Sequence, residues 1–154
     1  MRLITEYLST KVVNPIIIKA TDKTIYKIVK DELDRLGHDA DLNHIDVSKV
    51  TNMRGLFSCY AGDLGREYKD LNPDITKWDV SKVEDMGSMF WKCEKFNQDL
   101  SGWNVSNVES MESMFYKCKN FNQDLSSWNV SKVEEYREMF YECPIEEEFK
   151  PKFK

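Results

Sequence analysis

A repeat of 25 residues constrains the fold of this chain more than any other feature of its sequence. Trp78, Trp103 and Trp128 follow one another at this spacing. The same period relates further apolar columns: Val80, Val105 and Val130; Val83, Val108 and Val133; Met89, Met114 and Met139; Phe90, Phe115 and Phe140; and Cys93, Cys118 and Cys143. A weaker copy runs from Ile45 to Phe57, and about eight extra residues near positions 61–69 separate it from the next copy. Because one unit of this size cannot bury its own apolar side, we expect the copies to stack on each other.

Each copy contains two apolar patterns that predict different secondary structure. Trp103 and Val105 alternate with a polar residue, which is typical of a short strand. Ser106 and Glu109 then form the signature of a capping box. The spacing of an amphipathic helix relates five apolar residues: Val108, Met111, Met114, Phe115 and Cys118. These patterns predict an α/β fold, a short leucine-rich-repeat-like solenoid with one short parallel strand plus one helix per 25-residue repeat and with the strands on its concave side.

The segment from Asn122 to Val133, which reads Asn-Gln-Asp-Leu-Ser-x-Trp-Asn-Val-Ser-x-Val, resembles the BspA-like leucine-rich repeats of bacterial surface proteins and lipoproteins. The likeness continues through Met139, Phe140 and Cys143 and covers roughly residues 39–143. The resemblance implies a binding or adhesion module, commonly exported, whose repeats carry no catalytic residues.

The repeats divide the chain into three parts. Residues 1–38 are predicted to form an N-terminal strand and helix cap, with the helix over about residues 22–36 and a stop at Gly37. Residues 39–143 hold four repeats, with the insertion near 61–69, and residues 144–154 form a C-terminal cap or tail. The first residues lack the apolar core of a signal peptide, which predicts a cytoplasmic location; a surface location stays open if a leader precedes them.

Composition argues against several classes of function. The chain carries 22 Lys and Arg residues against 27 Asp and Glu residues, a net charge of −5, which argues against direct binding of nucleic acid. Its longest apolar run, the isoleucines at positions 16–18, is far too short to span a membrane. His38 and His44 fall in no recognisable catalytic arrangement, so we predict no enzyme activity, no metal and no cofactor. The repeated cysteines are predicted to be buried free thiols.

Polar residues beside the predicted strands are the first candidate contact surface for a protein partner. On the concave face they would offer small hydrogen-bonding groups on a rigid support, although they include no bulky aromatic residue. The candidates are Asn43, His44, Asp46, Thr76, Lys77, Asp79, Ser101, Asn104, Ser126 and Asn129.

A second candidate surface is an acidic patch near the end of the chain. A rigid acidic surface steers association with a basic protein, whereas most such charge runs are only solvated faces. The patch consists of Glu134, Glu135, Glu138, Glu142, Glu146, Glu147 and Glu148.

The function that these features favour is a non-catalytic protein–protein interaction module that binds through a rigid solenoid surface. Two alternatives stay open. One is a small acidic inhibitor, for example a phage or mobile-element anti-defence protein, that masks a basic nucleic-acid-binding protein. The other is a structural or adhesion component. The oligomeric state also stays open.

Overall fold

One helix and two short strands are the regular α and β elements in residues 16–59 and 64–154, the parts of the chain that the computed structural model describes. The strands pair in parallel, with Ile18 opposite Ile45. Residues 1–15 of the predicted N-terminal cap and residues 60–63 of the predicted insertion lie outside the described residues. The elements follow in the order β1 (Ile18–Lys19), α1 (Ile25–Leu36), β2 (Ile45–Asp46), and two 3₁₀ turns at Arg66–Tyr68 and Glu147–Phe149.

Helix α1 forms where apolar residues recur on one face. Ile25, Val29 and Leu33 are four residues apart and are buried. The helix ends at Gly37, whose φ of +96° favours a residue without Cβ and whose amide donates to the Leu33 carbonyl at 2.8 Å. In the described ranges, no helix has the length and apolar character needed to cross a membrane.

The helix predicted in each 25-residue repeat is wrong, because overlapping turns occupy those positions in residues 41–59 and 64–154. In the third copy, the Met114 amide donates to the Met111 carbonyl at 3.2 Å and the Tyr116 amide donates to the Ser113 carbonyl at 3.2 Å. Ser113 has a φ of +54°, in the left-handed region that a right-handed α-helix excludes. In the described ranges, the other non-glycine residues with positive φ are Ser88, Lys92, Lys117, Glu138 and Glu142.

The amides that a helix would pair internally are used instead by the next copy of the sequence repeat. The Met111 amide donates to the Glu135 carbonyl at 2.7 Å, and the Ser113 amide donates to the Arg137 carbonyl at 2.9 Å. Amides of residues 53, 55, 57 and 59 donate in the same way to residues 85, 87, 89 and 91, and those of residues 86, 88, 90 and 92 donate to residues 110, 112, 114 and 116. We call this set of bonds the amide ladder.

The strand predicted in each repeat is wrong for the second, third and fourth copies. In the first copy, β2 lies at the predicted position, but it pairs with β1 and not with another repeat. The Trp103 amide donates to the Leu100 carbonyl at 3.0 Å and the Val108 amide donates to the Val105 carbonyl at 3.0 Å, which are bonds within local turns. Because the described copies contain no α-helix and only the first contains a strand, the leucine-rich-repeat-like solenoid is wrong, and so is its concave sheet. The alternation of apolar and polar residues indicates only that two side chains are buried, and a turn buries them as well as a strand does.

The repeated apolar residues form the core, as predicted. Phe115 lies between Phe90 and Phe140, with ring centroids 5.4 Å and 5.7 Å away. The indole nitrogen of Trp103 donates to the Ile75 carbonyl at 3.2 Å, and Trp78 and Trp128 make equivalent bonds to Leu42 and Leu100. These three tryptophans are at most 5% exposed, so the prediction that they face inward is confirmed.

Candidate functional site

Several of the predicted concave-face residues lie in local turns. Oδ1 of Asp46 accepts a hydrogen bond from the Ser48 amide at 3.0 Å, and Oδ1 of Asn104 accepts one from the Ser106 amide at 3.1 Å. Asp79 and Asn129 accept equivalent bonds from the amides of Ser81 and Ser131. These are Asx turns, in which the side-chain oxygen fixes the backbone two residues later. Their first role is therefore to shape the chain, and their role in binding stays a prediction.

A second row of turns contains three more of the predicted residues. The amides of Thr76, Ser101 and Ser126 donate to the carboxylates of Asp74, Asp99 and Asp124 at 2.9–3.0 Å. Hydrogen bonds from the Ser101 hydroxyl and amide hold the pKa of Asp99 below its usual value. Each carboxylate is thus committed to its own turn, and among the described residues no group of three or more His, Cys, Asp and Glu side chains could hold a metal ion.

Three predicted residues, Asn43, His44 and Lys77, come together beside α1 and line a cavity of about 800 Å³. Nε2 of His44 lies 2.6 Å from Oε2 of Glu32, and Nε of Arg35 donates to Oε1 of the same carboxylate at 3.0 Å. The Arg35 hydrogen bond is the main cause of a lowered Glu32 pKa, with His44 adding to it against the effect of burial. This hydrogen-bonded cluster joins α1 to His44, the residue directly before β2.

The acidic patch is divided by its contacts. Glu142 pairs with Lys117 at 3.4 Å, and Glu135 accepts a hydrogen bond from the Ser110 hydroxyl at 3.2 Å. Glu146 and Glu147 are also bonded, to Asn122 and Lys150. Within this patch, which lies wholly in the described part of the chain, the carboxylates without a hydrogen bond or ion pair are those of Glu134, Glu138 and Glu148.

An aromatic column, Trp91, Tyr116 and Tyr141, is the surface feature that the sequence analysis missed. The rings of Trp91 and Tyr116 have centroids 5.7 Å apart, and those of Tyr116 and Tyr141 are stacked at 4.9 Å. Tyr141 is 46% exposed, and the other two are half-buried. The signal was present in the sequence, because each of these residues directly follows a repeated Phe at the 25-residue period.

The amide ladder positions this column. Trp91 lies between the ladder donors Phe90 and Lys92, and Tyr116 lies between Phe115 and Lys117. Phe90 and Phe115 are fully buried, whereas the aromatic residue that follows each one retains exposed surface. The ladder therefore holds successive rings in contact on the outside of the molecule.

Lysines flank the aromatic column. Nζ of Lys92 lies 4.9 Å from the Trp91 ring centroid, and Nζ of Lys117 lies 5.6 Å from that of Tyr116 and 5.8 Å from that of Tyr141. The hydrogen bond to Glu142 raises the pKa of Lys117, so this lysine stays cationic at neutral pH. The column thus combines apolar ring area with positive charge.

The four cysteines are free, and three of them are buried. Sγ of Cys93 donates to the Phe57 carbonyl at 3.0 Å, and Sγ of Cys118 donates to the Phe90 carbonyl at 3.0 Å. Burial raises the pKa of both thiols well above the usual value. Thiols in this state are poor nucleophiles, and their observed role is to fill the core and satisfy backbone carbonyls.

Comparison with known proteins gives one match. Residues 33–150 match the family model described as "Mycoplasma protein of unknown function, DUF285". The match is not to the BspA-like leucine-rich-repeat family, so the resemblance inferred from the sequence motifs is wrong. No curated protein and no solved structure matches the chain.

Proposed function

The chain belongs to the DUF285 family, and from its surface we propose that it is a non-catalytic protein-binding module whose contacts centre on the aromatic column. The observation that carries this proposal is the contact between the rings of Trp91, Tyr116 and Tyr141 on a hydrogen-bonded backbone. Tryptophan and tyrosine are the residues most enriched among those that dominate protein–protein binding energy.

The rigidity of the column supports this proposal. Ladder bonds hold the backbone on both sides of Trp91 and Tyr116, such as the 2.8 Å bond from the Lys92 amide to the Tyr116 carbonyl. Tyr141 is held by its ring contact with Tyr116 and by the bond from the Lys117 amide to its carbonyl. Little side-chain freedom is left to lose on association, so more of the contact energy becomes binding energy.

The charge of the column indicates the chemistry of the partner. Lys92 and Lys117 lie beside the rings, and each brings an ammonium group within 6 Å of a ring centroid. Because Lys117 is already paired with Glu142, a partner that inserts an apolar side chain onto Tyr116 and Tyr141 and places a carboxylate near Lys92 would match both features. The partner surface we expect is therefore apolar with an acidic border.

The test uses affinity capture from a lysate of the source cell, followed by titration of each captured protein. Compared with the wild-type chain, Tyr116→Ala should weaken binding about 30-fold, because a central tyrosine contact is worth about 2 kcal/mol. Trp91→Ala should have an effect of the same order. Circular dichroism of each variant establishes that it is folded.

The matched control is Tyr116→Phe, which keeps the ring and removes only the hydroxyl. We expect this variant to retain nearly wild-type affinity. Equal capture by the wild-type chain and by Tyr116→Ala would refute the proposed surface. A loss of capture in Tyr116→Phe as large as the loss in Tyr116→Ala would also refute it.

One observation favours a second candidate function, the acidic inhibitor of a basic protein. The carboxylates of Glu134, Glu138 and Glu148 have no ion-pair partner among the described residues, so their charge is available to a partner. This candidate predicts binding that falls steeply with added salt and is lost in the charge-reversed variant Glu134→Lys/Glu138→Lys. Weak salt dependence together with loss of binding in Tyr116→Ala would favour the aromatic column instead.

A further inference from the structure

The amide ladder ends at the last copy of the repeat with donors that have no acceptor. In the preceding copy, the amides of residues 111, 113, 115 and 117 donate to the carbonyls of residues 135, 137, 139 and 141 at 2.7–2.9 Å. The equivalent donors in the last copy are the amides of Tyr136, Glu138, Phe140 and Glu142. None of these four amides has a hydrogen-bond acceptor in the described part of the chain.

A groove lies beside these donors. It has a volume of about 350 Å³ and runs between the last copy and the C-terminal residues. Phe153 stacks on Tyr136 with ring centroids 4.2 Å apart, and Nζ of Lys150 lies 5.8 Å from the Phe140 ring centroid. Glu138, Met139 and Pro151 complete much of the lining. The groove therefore offers an apolar floor next to a row of unpaired backbone donors.

The molecule itself shows which kind of chain satisfies such donors. At each earlier step of the ladder, the acceptor is a backbone segment that presents the carbonyl of every second residue. Unpaired edges of this kind pair with an added extended segment, whose backbone supplies affinity and whose side chains supply specificity.

The opposite end of the ladder already has contacts to the segment that contains α1, which argues against a second copy as the occupant. In the first copy, the carbonyl of Arg54 accepts a hydrogen bond from the Tyr26 hydroxyl of α1 at 2.7 Å. The Asp22 carboxylate accepts bonds from the amides of Thr51 and Asn52 at 2.7 Å and 3.1 Å. Head-to-tail stacking of two copies would have to displace α1 from this edge.

Charge selects among extended partners. Glu138 lines the groove and Glu134 precedes it, and neither carboxylate has an ion-pair partner among the described residues. Lys150 also lines the groove, but its charge is already paired with Glu147. We propose that the edge formed by residues 136–142 binds an extended, basic segment of a partner protein, which adds to the amide ladder and places an apolar side chain in the groove. The groove shares Tyr141 with the aromatic column but involves neither Trp91 nor Tyr116, and the proposal is argued from the edge amides and not from the proposed function.

The test uses two synthetic peptides of seven residues with blocked ends, Lys-Val-Lys-Phe-Lys-Val-Lys and its acidic counterpart Glu-Val-Glu-Phe-Glu-Val-Glu. Hydrogen exchange of individual amides is followed by NMR in the full chain. In the free protein, the amides of residues 136, 138, 140 and 142 should exchange much faster than those of residues 111, 113, 115 and 117. The basic peptide should slow exchange at the first set, and the acidic peptide should not.

The variant Glu138→Lys should weaken binding of the basic peptide about 10-fold, because it reverses one charge at the groove. The matched control is Glu84→Lys, the same charge change at an exposed glutamate outside the groove, which should bind as the wild-type chain does. Tyr116→Ala should also bind the peptide normally, so failure of the aromatic column and failure of this edge are distinguishable.

Three results would overturn the proposal. The first is slow exchange of the four edge amides in the free, monomeric protein. The second is absence of basic-peptide binding, or binding that leaves their exchange unchanged. The third is protection of these amides that rises with protein concentration alone, which would assign the edge to a second copy.

Discussion

Replacing Phe115 with alanine tests whether the stacked phenylalanine rings carry the stability of the fold. The side chain is fully buried and lies in the middle of the stack. Its ring centroid is 5.4 Å from that of Phe90, 5.7 Å from that of Phe140 and 4.1 Å from that of Phe121. The substitution therefore removes three ring contacts and leaves a cavity between successive copies of the repeat.

The expected loss in the free energy of unfolding is large compared with the stability of a domain of this size. Truncating a buried phenylalanine to alanine costs about 3–5 kcal/mol, through lost transfer free energy and the cavity left behind. Ring pairs contribute about 0.5–1.5 kcal/mol each beyond burial, which places the Phe115→Ala loss at about 4–5 kcal/mol. Since small domains unfold with about 5–15 kcal/mol, this variant should be close to unfolded at 37 °C.

Phe140→Ala is the matched control, since it removes the same group from the same column. Phe140 is only half-buried and has one ring neighbour in the stack, so its loss should be about 2 kcal/mol. Urea unfolding followed by tryptophan fluorescence gives the free energy of unfolding of each variant by linear extrapolation. A Phe115→Ala loss no greater than that of Phe140→Ala would refute the claim that the stack is the main source of stability.

Three further predictions concern single residues. Gly87→Ala should push aside the guanidinium of Arg54, which passes over Gly87 to reach Glu112 at 3.1 Å. In this variant, a double-mutant cycle on Arg54 and Glu112 should measure a coupling free energy near zero, in place of the about 0.2–1 kcal/mol expected for an exposed ion pair. Glu32→Gln should flatten the pH dependence of stability in acid, because hydrogen bonds from Arg35 and His44 hold the folded-state pKa of Glu32 below its usual value. The contribution of Glu32 is therefore present above the unfolded-state pKa and is lost as the pH falls through the folded-state pKa. Urea unfolding at about pH 6 and about pH 3 checks this, and an unchanged slope would contradict it. A thiol reagent should modify the half-buried Cys143 before the three buried cysteines. Peptide mass mapping at short reaction times measures the order of labelling. Faster labelling of a buried thiol would argue against the packing described.

The candidate sites show where sequence patterns stop being informative. Asn104 and Asn129 are predicted binding residues because they are polar and regularly spaced. In the structure, each side chain accepts a hydrogen bond from the amide two residues later and so closes a turn. Their partners in these turns, Ser106 and Ser131, are visible in the sequence. The sequence alone does not distinguish a polar residue that closes a turn from one that is free to bind a partner, because the same residue types do both. Trp91 lies outside the tryptophan column of the repeat, but at the 25-residue period it shares a column with Tyr116 and Tyr141.

The sequence by itself determined which residues are buried and which copies correspond. The 25-residue period places Val108, Met111, Met114, Phe115 and Cys118 in the core, and all of them are buried. The tertiary structure alone decided the backbone that carries them. A helix would pair the Ser113 amide within its own segment, whereas the folded chain offers it the carbonyl of Arg137 at 2.9 Å. That acceptor reaches the amide only when the next copy has packed against the first, so no local pattern predicts it, and the same packing brings the aromatic column together on the surface.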